Sequence, residues 1–275
     1  MSTLKFRSTG QEVHLLQQIL VKKGYNVKVS EYFGKDTDAA VKDFQRKNNL
    51  VVDGLVGPKT WAKLNEKENH WGAFSDKLLS EQDLIDFARQ YELELAAVKA
   101  VNDVESRGRG FLLDGRPKIL FEGHVFWRQL EKRNIPPASY VNEGTKNVLY
   151  KKWTRTYYLG GAGEYDRMDK AAAISSDPQF KEAAYASASW GAFQIMGYHF
   201  NSLGYPTIDD FVSKMNEHER EHLGAFGRYL DVNHLIRHLQ TKNWASFARG
   251  YNGSAYATNK YDIKLENAYE RFLNI

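Results

Sequence analysis

Apolar positions between residues 4 and 64 recur with the spacing of amphipathic helices. Val13, Leu16 and Leu20 lie three and four residues apart, so one face of a helix would carry all three. Gly24 follows this stripe, at the position where glycine commonly ends a helix. The same spacing returns in two later stripes, formed by Ala40, Val41 and Phe44 and by Trp61 and Leu64. The pattern predicts three short helices.

Two turns between these stripes repeat each other. Phe33-Gly34-x-x-Thr37 leads into the second stripe, and Val56-Gly57-x-x-Thr60 leads into the third. In each turn the glycine permits a backbone conformation that other residues avoid, and the threonine stands where a helix begins. This repeat indicates a small bundle of three helices.

A polar segment separates the bundle from the rest of the chain. Residues 66–78 lack clear periodicity and read as a linker. Ser80 then offers a helix N-cap, with Glu81 and Asp83 as acidic residues in the first turn. The predicted division is a first domain at residues 1–65, a linker at 66–78 and a second domain at 79–275.

A carboxyl group ends the most informative helical segment of the second domain, residues 93–105. One face of that helix carries Leu95, Val98, Val101 and Glu105. Glu105 thus continues an apolar stripe, where reduced hydration favours the protonated form, and the helix C-terminus acts in the same direction. Such a group suits a general acid working near neutral pH. The alternative is an ordinary acidic residue at a frayed helix end.

Three later segments supply further chemical groups. Residues 119–127 place Glu122 and His124 in an apolar, aromatic stretch, and residues 186–196 read as a tight turn or hairpin. Tyr251 and Asn252 follow near the end of the chain. Carboxyl groups, amides and aromatic faces are what a sugar-binding site requires. We read the stretch Trp153–Tyr158 and the glycines at 160–163 as a loop beside such a site.

The overall composition excludes several classes of protein. The 275 residues include no cysteine, so disulfides, thiolate metal sites and cysteine nucleophiles are excluded. A net charge of +4 suits an anionic polymer such as a bacterial wall, and no basic run or groove-reading motif indicates nucleic acid. No stretch is apolar over the ~20 residues of a membrane span, which predicts no stable membrane insertion. No apolar run follows the charges of residues 1–7, so we expect the product to stay in the cytoplasm until another protein releases it.

Three blocks of the first domain occur in order: Gly10-x-x-Val13-x-x-Leu16-Gln17, Ala40-Val41-x-x-Phe44-Gln45 and Asp53-Gly54-x-x-Gly57-Pro58-x-Thr60-Trp61. Together they resemble the peptidoglycan-binding domain of many wall hydrolases. The core residues that we expect are Leu16, Val41, Phe44 and Trp61. We expect the wall to contact exposed turn residues, for which the candidates are Tyr32, Phe33, Asp36 and Asp53.

Three blocks of the second domain also occur in order: Glu105-Ser106-x-Gly108-x-Gly110-Phe111, Phe121-Glu122-Gly123-His124-x-Phe126-Trp127 and Ala188-Ser189-Trp190-Gly191-x-Phe193-Gln194-Ile195-Met196-Gly197. With Tyr251-Asn252-Gly253 they resemble the lysozyme-like superfamily, and more closely the N-acetylmuramidase domain of modular phage endolysins. The resemblance implies that Glu105 protonates the glycosidic oxygen between N-acetylmuramic acid and N-acetylglucosamine. The candidates for substrate binding are Ser106, His124, Ser189, Gln194, Tyr251 and Asn252.

The second carboxylate of the reaction has two candidates. Glu122 is the first choice and Asp114 the second, although Glu122 could instead be a structural partner of His124 or Arg128. An inverting enzyme needs a base ~6.5–9.5 Å from the acid, and a retaining enzyme needs a nucleophile at ~5–5.5 Å. Without either, the 6-hydroxyl of the sugar could attack the anomeric carbon, as in a lytic transglycosylase.

One segment indicates a different chemistry, that of a zinc peptidase. It matches the pattern H-E-x-x-H and reads His218-Glu219-Arg220-Glu221-His222. On one helix the two imidazoles would lie a turn apart, with Glu219 as the base. Zinc peptidases of this type usually keep the two middle positions uncharged, whereas Arg220 and Glu221 are both charged. The motif therefore stays the less favoured alternative, and we expect no metal.

The predicted fold is mainly α: a small three-helix peptidoglycan-binding domain plus an α-rich lysozyme-like (α+β) catalytic domain with a small β-hairpin. The resemblance implies bacterial peptidoglycan as the partner, no nucleic acid, no cofactor and a monomeric chain. It also implies accumulation in the host cytoplasm, release that needs a holin, and action on the wall in the periplasm at lysis. The alternative to an enzyme is a wall-binding component with an inactive site.

Overall fold

The computed structural model describes residues 3–64, 77–106, 110–112 and 114–273. The chain forms two compact units, of which the first comprises Met1–Arg109 with Leu235–Ile275 and the second comprises Gly110–His234. Most of the predicted linker, residues 66–76, lies outside the described residues. The first unit groups the N-terminal helices with later ones, so the domain boundaries at residues 65 and 79 stay a prediction.

Helices dominate both units. The first unit contains α1 (Gln11–Lys22), α2 (Lys35–Lys47), α3 (Pro58–Leu64), α4 (Glu81–Gln90), α5 (Leu95–Glu105), α11 (Ile236–Gln240), α12 (Trp244–Asn252) and α13 (Tyr261–Leu273). The second contains β1 (Ile119–Phe121), α6 (Gly123–Glu131), α7 (Gly163–Ala172), α8 (Pro178–Ala186), β2 (Ala188–Trp190), β3 (Ile195–Met196), α9 (Ile208–Glu217) and α10 (Glu219–Val232). Within the described ranges, no helix is both long and apolar enough to cross a bilayer.

The three predicted N-terminal helices are confirmed as α1, α2 and α3. Their apolar faces enclose one core, whose buried members include Val13, Leu16, Leu20, Val41, Phe44, Trp61 and Leu64. All four core residues expected from the sequence, Leu16, Val41, Phe44 and Trp61, are therefore buried. The extended segment before α1 joins this core through an antiparallel bridge between Leu4 and Val56.

A buried glutamine organises the turn between α1 and α2. Gln17 is 1% exposed, and its Oε1 accepts a hydrogen bond from the backbone N–H of Ser30 at 2.6 Å. Its Nε2 donates to the carbonyl of Tyr32 and to Oγ1 of Thr37, each at 2.9 Å. One side chain thus satisfies buried polar groups of the turn and of the start of α2.

Gln45 repeats this arrangement between α2 and α3. Its Oε1 accepts from the N–H of Gly54 at 2.9 Å, and its Nε2 donates to the carbonyl of Leu55 at 3.0 Å and to Oγ1 of Thr60 at 3.2 Å. The sequence repeat of the two turns is therefore a repeat of one hydrogen-bonding device. The glutamines were not predicted to have this role, because polarity alone does not indicate burial.

A capping box starts the next helical segment. The hydroxyl of Ser80 accepts from the N–H of Asp83, whose carboxylate accepts from the N–H of Ser80, as the predicted cap requires. Nearby, the buried ammonium of Lys99 pairs with Glu81 and donates to the carbonyl of Val52, whose N–H donates to Glu81. These bonds join α4 and α5 to the segment that follows α2.

The C-terminal helix packs on the helix that ends at Glu105. Ala100 of α5 forms a buried apolar cluster with Ala268 and Phe272 of α13. The C-terminal helix therefore covers part of the protein's own core. It also supports α5 along its length.

A three-stranded antiparallel sheet lies in the second unit, in the order β1-β2-β3. The hairpin predicted at residues 186–196 is confirmed as β2 and β3, where Ser189 pairs with Met196 and Trp190 pairs with Ile195. The strand β1 was not predicted, because three residues are too few to show a period. Trp190 is 1% exposed and packs edge-on against Phe211, which places the sheet in the core of this unit.

Candidate active site

Glu105 is the last residue of α5. The helix ends there because Ser106 becomes its C-cap and turns its hydroxyl back to the carbonyl of Asn102. Glu105 is half-buried, and its Oε1 is shielded from solvent. Its carboxyl group therefore has the reduced hydration that a general acid needs.

An amide from α12 holds this carboxyl group. Asn252, the last residue of α12, donates from Nδ2 to Oε2 of Glu105 at 3.0 Å. The preceding residue, Tyr251, stacks its ring on Phe247 at 5.9 Å between centroids, with 13° between the planes. The first unit thus brings together Glu105 and Asn252, two residues that the sequence places 147 positions apart.

Glu122 stands between β1 and α6, at the N-cap of α6. Its Oε1 accepts a hydrogen bond from the hydroxyl of Tyr158 at 2.6 Å. Its Oε2 lies 3.3 Å from Nδ1 of His124, in an orientation that does not form a hydrogen bond. Burial raises the pKa of Glu122, and the bond from Tyr158 and the charge of Arg167 oppose that rise.

His124 is the second titratable group at this position. Burial lowers its pKa, and the nearby guanidinium of Arg128 lowers it further. A neutral imidazole beside Glu122 is the expected state at neutral pH. The alternative that Glu122 is a structural partner of His124 therefore has geometric support in the short distance between the two side chains.

A fully buried ion pair supports the strand that leads to Glu122. Oε2 of Glu164 accepts from the N–H of Phe121 at 3.2 Å and from the guanidinium of Arg167 at 2.7 Å. Arg167 also donates to the carbonyl of Phe121 at 2.8 Å, so both backbone groups of that residue are fixed. The sequence did not predict this pair or the contact between Tyr158 and Glu122; the one signal for the pair was the spacing of a Glu and an Arg three residues apart in one helix.

Gly123 must be glycine for this arrangement. A Cβ atom there would lie 2.4 Å from the ring of Tyr150 and 2.6 Å from the carbonyl of Val148. The Phe121-Glu122-Gly123-His124 block therefore includes a position where the backbone approaches its neighbours closely.

The turn between β2 and β3 is held by its own side chains. Ser189 is buried, and its hydroxyl donates to Oε1 of Gln194 at 2.8 Å. Nε2 of Gln194 donates to the carbonyl of Gly191 at 2.8 Å. Gly191 has a φ of +73°, and a Cβ there would lie 2.6 Å from the ring of His222. The two predicted substrate-binding residues of this turn are thus brought into contact with each other.

The H-E-x-x-H segment is not arranged as in a zinc peptidase. His218 is the N-cap of α10, and its Nδ1 accepts from the N–H of Arg220 at 2.9 Å. His222 is 1% exposed and lies within hydrogen-bond distance of Ala192 and Met215 through its two ring nitrogens. Glu219 is fully buried and accepts from the N–H of Gly110. In the described residues, no three His, Cys, Asp or Glu side chains form a cluster suited to a metal.

The four wall-contact candidates have different surroundings. Tyr32 is 49% exposed and Asp36 is exposed. Phe33 is fully buried, so the expectation that it is exposed is wrong. Its turn repeats the one at Val56, and both apolar side chains enter the core of the bundle.

Asp53 is also more enclosed than a turn residue usually is. Its Oδ1 accepts from the N–H of Leu55 at 2.8 Å and from Nε2 of Gln45 at 2.7 Å. Burial of the carboxyl group raises the pKa of Asp53 to about 6, against the effect of these two bonds. Its carboxyl group therefore serves the turn itself.

Asp114, the second choice for the further carboxylate, is exposed. It forms an ion pair with Arg116 at 2.7 Å. The hydrogen bond from Arg116 lowers the pKa of Asp114, which keeps this carboxylate ionised. Glu122 is the more enclosed of the two candidates.

Known proteins match both parts of the chain. Residues 94–273 match the N-acetylmuramidase family, and residues 9–64 match a peptidoglycan binding domain. The crystal structure of the Burkholderia AP3 phage endolysin is 40% identical, with a TM-score of 0.87, and the match covers 100% of this chain and 99% of that one.

Two curated relatives match over shorter stretches. A spore cortex-lytic enzyme of Halalkalibacterium halodurans is 40% identical over 75 residues, which are 27% of this chain and 23% of that protein. An uncharacterised protein of Kitasatospora aureofaciens is 57% identical over 37 residues, 14% of this chain and 31% of its own length. The chain spans less than a third of either relative. Because the family model covers residues 94–273, the chain belongs to the N-acetylmuramidase family of lysozyme-type glycosidases, joined to an N-terminal peptidoglycan-binding domain as in modular endolysins.

Proposed function

We propose that the protein hydrolyses the β-1,4 bond between N-acetylmuramic acid and N-acetylglucosamine in bacterial peptidoglycan, with Glu105 as the general acid. The observation that carries this proposal is the hydrogen bond from Asn252 to the half-buried carboxyl group of Glu105. Membership of the N-acetylmuramidase family supports the choice of bond.

The contact with Asn252 favours one position of the acid proton. Nδ2 of Asn252 is a donor, so Oε2 of Glu105 acts as the acceptor. In the neutral acid the carbonyl oxygen accepts hydrogen bonds better than the hydroxyl oxygen, so this bond favours the hydrogen on Oε1, which is shielded from water. Asn252 is thus a positioning residue that directs the proton toward the glycosidic oxygen, and Tyr251 and Gln194 remain candidates for substrate contact.

Glu122 is our candidate for the second carboxylate. Burial raises the pKa of Glu122, whereas its bond from Tyr158 and the charge of Arg167 act against that rise and favour the ionised form that a base or nucleophile requires. We propose supporting roles for Ser106 and Ser189, because both are buried and donate to groups of the protein. His124 lies beside Glu122, where it can contact the same sugar.

We further propose that residues 1–65 hold the enzyme on the wall and residues 79–275 cleave it. Tyr32 and Asp36 are the exposed candidates for wall contact. The likeness to a phage endolysin over the whole chain supports action on the bacterial wall. We propose in addition that the protein is a monomer that accumulates in the host cytoplasm, needs a holin for release, and then reaches the wall in the periplasm.

Digestion of purified peptidoglycan by the wild type and by Glu105→Gln tests the proposal. We expect the substitution to lower the rate about 10²- to 10⁴-fold, the usual contribution of a general acid. Glu266→Gln is the matched control, because it makes the same chemical change at an exposed position of α13. Release of new reducing sugars without anhydro products, seen by mass spectrometry, supports hydrolysis.

Other products contradict parts of the proposal. Products with 1,6-anhydro ends identify a lytic transglycosylase, and new free amino groups identify a peptidase. Equal lysis by the wild type and Glu105→Gln excludes Glu105 as the acid.

A further inference from the structure

One loop of the second unit exposes two large apolar side chains to solvent. In residues 150–159, which we name the aromatic loop, Trp153 is 58% exposed and Leu159 is 67% exposed. Four of its ten residues are aromatic: Tyr150, Trp153, Tyr157 and Tyr158. Exposed apolar groups that lie close together commonly mark a binding surface.

Hydrogen bonds from two residues of the aromatic loop, Tyr158 and Leu159, hold it to carboxylates of the second unit. The hydroxyl of Tyr158 donates to Oε1 of Glu122 at 2.6 Å. The N–H of Leu159 donates to the buried carboxylate of Glu164 at 2.8 Å. The loop that carries the exposed indole is thus tied to Glu122 through Tyr158 and to Glu164 through Leu159.

The charge of the aromatic loop has one sign. Lys151, Lys152 and Arg155 are exposed, and no Asp or Glu occurs between Glu143 and Glu164. The guanidinium of Arg155 lies 5.5 Å from the centre of the Trp153 ring. One cation therefore lies near the flat apolar face and two more precede it directly in the chain, and this combination suits a sugar ring that carries anionic groups.

We propose that the aromatic loop is a subsite for the peptidoglycan strand, in which Trp153 stacks on a sugar ring and the three cations bind carboxylates of the peptide stems. This inference rests on the proposed function, since it extends the substrate from Glu122 along the loop. The bond from Tyr158 of the same loop to Glu122 favours a glycan over a membrane surface, because a lipid anchor would need no tie to a carboxylate of the site.

Steady-state cleavage of two soluble substrates tests the subsite. One is a set of glycan fragments that retain their peptide stems, and the other is the same set after an amidase has removed the stems. We expect Trp153→Ala to raise KM roughly five- to tenfold on both, with kcat within about twofold, as for the loss of one aromatic contact. Trp153→Phe keeps a ring and should restore most of the affinity.

The cations are tested by replacing Lys151, Lys152 and Arg155 together with Gln. We expect this triple variant to raise KM on the stem-bearing fragments and to leave KM on the stripped fragments unchanged. Val232→Ala, at another exposed apolar position of the second unit, is the control and should leave both KM values unchanged.

Two results would overturn the subsite. One is an unchanged KM for Trp153→Ala on both substrates. The other is a Trp153→Ala variant that binds phosphatidylglycerol vesicles more weakly than the wild type but has the wild-type KM for glycans. That outcome would identify the loop as a membrane-binding surface. A triple variant that raises KM equally on both substrates overturns the role of the stem carboxylates. If Glu105→Gln still cleaves, the proposed acid fails, whereas the subsite is still measured by calorimetric binding of the fragments.

Discussion

The buried carboxylate of Glu164 provides the most demanding test of how the second unit is held together. Its Oε1 accepts from the N–H groups of Leu159 and Gly160, and its Oε2 accepts from the N–H of Phe121 and from Arg167. All four partners are donors, so the site needs two acceptor oxygens. Glu164→Gln keeps the shape of the side chain but replaces one oxygen with an NH₂ group.

Neither orientation of the new amide can satisfy the site. In one, the NH₂ group faces the backbone N–H groups of the aromatic loop; in the other, it faces Phe121 and Arg167. In both, the buried guanidinium of Arg167, which is 3% exposed, loses its counter-charge. Removing one member of a buried ion pair costs about 3–5 kcal/mol in the free energy of unfolding. For a unit of this size, that is a fall in Tm of roughly 6–20 °C.

Thermal unfolding followed by circular dichroism measures this effect. The matched control is Glu182→Gln, because that carboxylate is 51% exposed and lies 3.9 Å from Arg133, where the same change should cost less than about 1 kcal/mol. The double variant Glu164→Gln/Arg167→Met should be less destabilised than the two single changes added together, since it removes the stranded charge. A Tm for Glu164→Gln equal to that of the control would refute the reasoning.

Three further changes give separate tests. Tyr158→Phe removes the bond that opposes the raised pKa of Glu122, so the acidic limb of the kcat/KM profile should move to higher pH; an unmoved limb would contradict an ionised role for Glu122. Burial raises the pKa of Asp53 from 3.8 to about 6. The free energy of unfolding should therefore fall as the pH rises from about 4 to 6, and it should stay at the lower value above pH 6. Asp53→Asn retains Oδ1 as acceptor, so its advantage in stability over the wild type, measured by urea unfolding, should be larger at pH 7.5 than at pH 4. An equal difference in the free energy of unfolding at both pH values would count against a buried charge. Gln45→Leu should lower the free energy of unfolding in urea by about 2–4 kcal/mol, because it leaves buried polar groups of the turn without a hydrogen-bond partner. Gln18→Leu, at an exposed position of α1, should lower it little. Equal losses in the two variants would contradict the role of Gln45 in the turn.

Periodicity predicted the helices because burial on one face is a local property of the sequence. Val13, Leu16 and Leu20 lie on the buried face of α1, and the stripe that contains Val98 and Val101 leads to Glu105 at the end of α5. The hairpin was also predictable, since its turn residues are adjacent in the chain. The prediction was wrong for Phe33, because a turn position says nothing about the direction of a side chain.

The polar contacts of the site were beyond what spacing could predict. Asn252 meets Glu105 from 147 residues away, and Tyr158 meets Glu122 from 36 residues away. Neither distance corresponds to a helical or strand period, so only the folded chain brings the partners together. The resemblance indicated Asn252 as a site residue, but it did not indicate which oxygen of Glu105 the amide contacts.

The H-E-x-x-H segment shows that a sequence that matches the zinc-peptidase pattern can instead stabilise the packing of a fold. A zinc site needs both imidazoles on one face of a helix, with nitrogen lone pairs directed at a shared point. Here a helix boundary falls inside the motif, because α9 ends at Glu217 and His218 caps α10. His222 instead lies under the turn between β2 and β3, where its Nδ1 is 3.1 Å from the N–H of Ala192 and its ring occupies the space that a side chain at Gly191 would need. The motif thus supports the turn between β2 and β3, which carries Gln194.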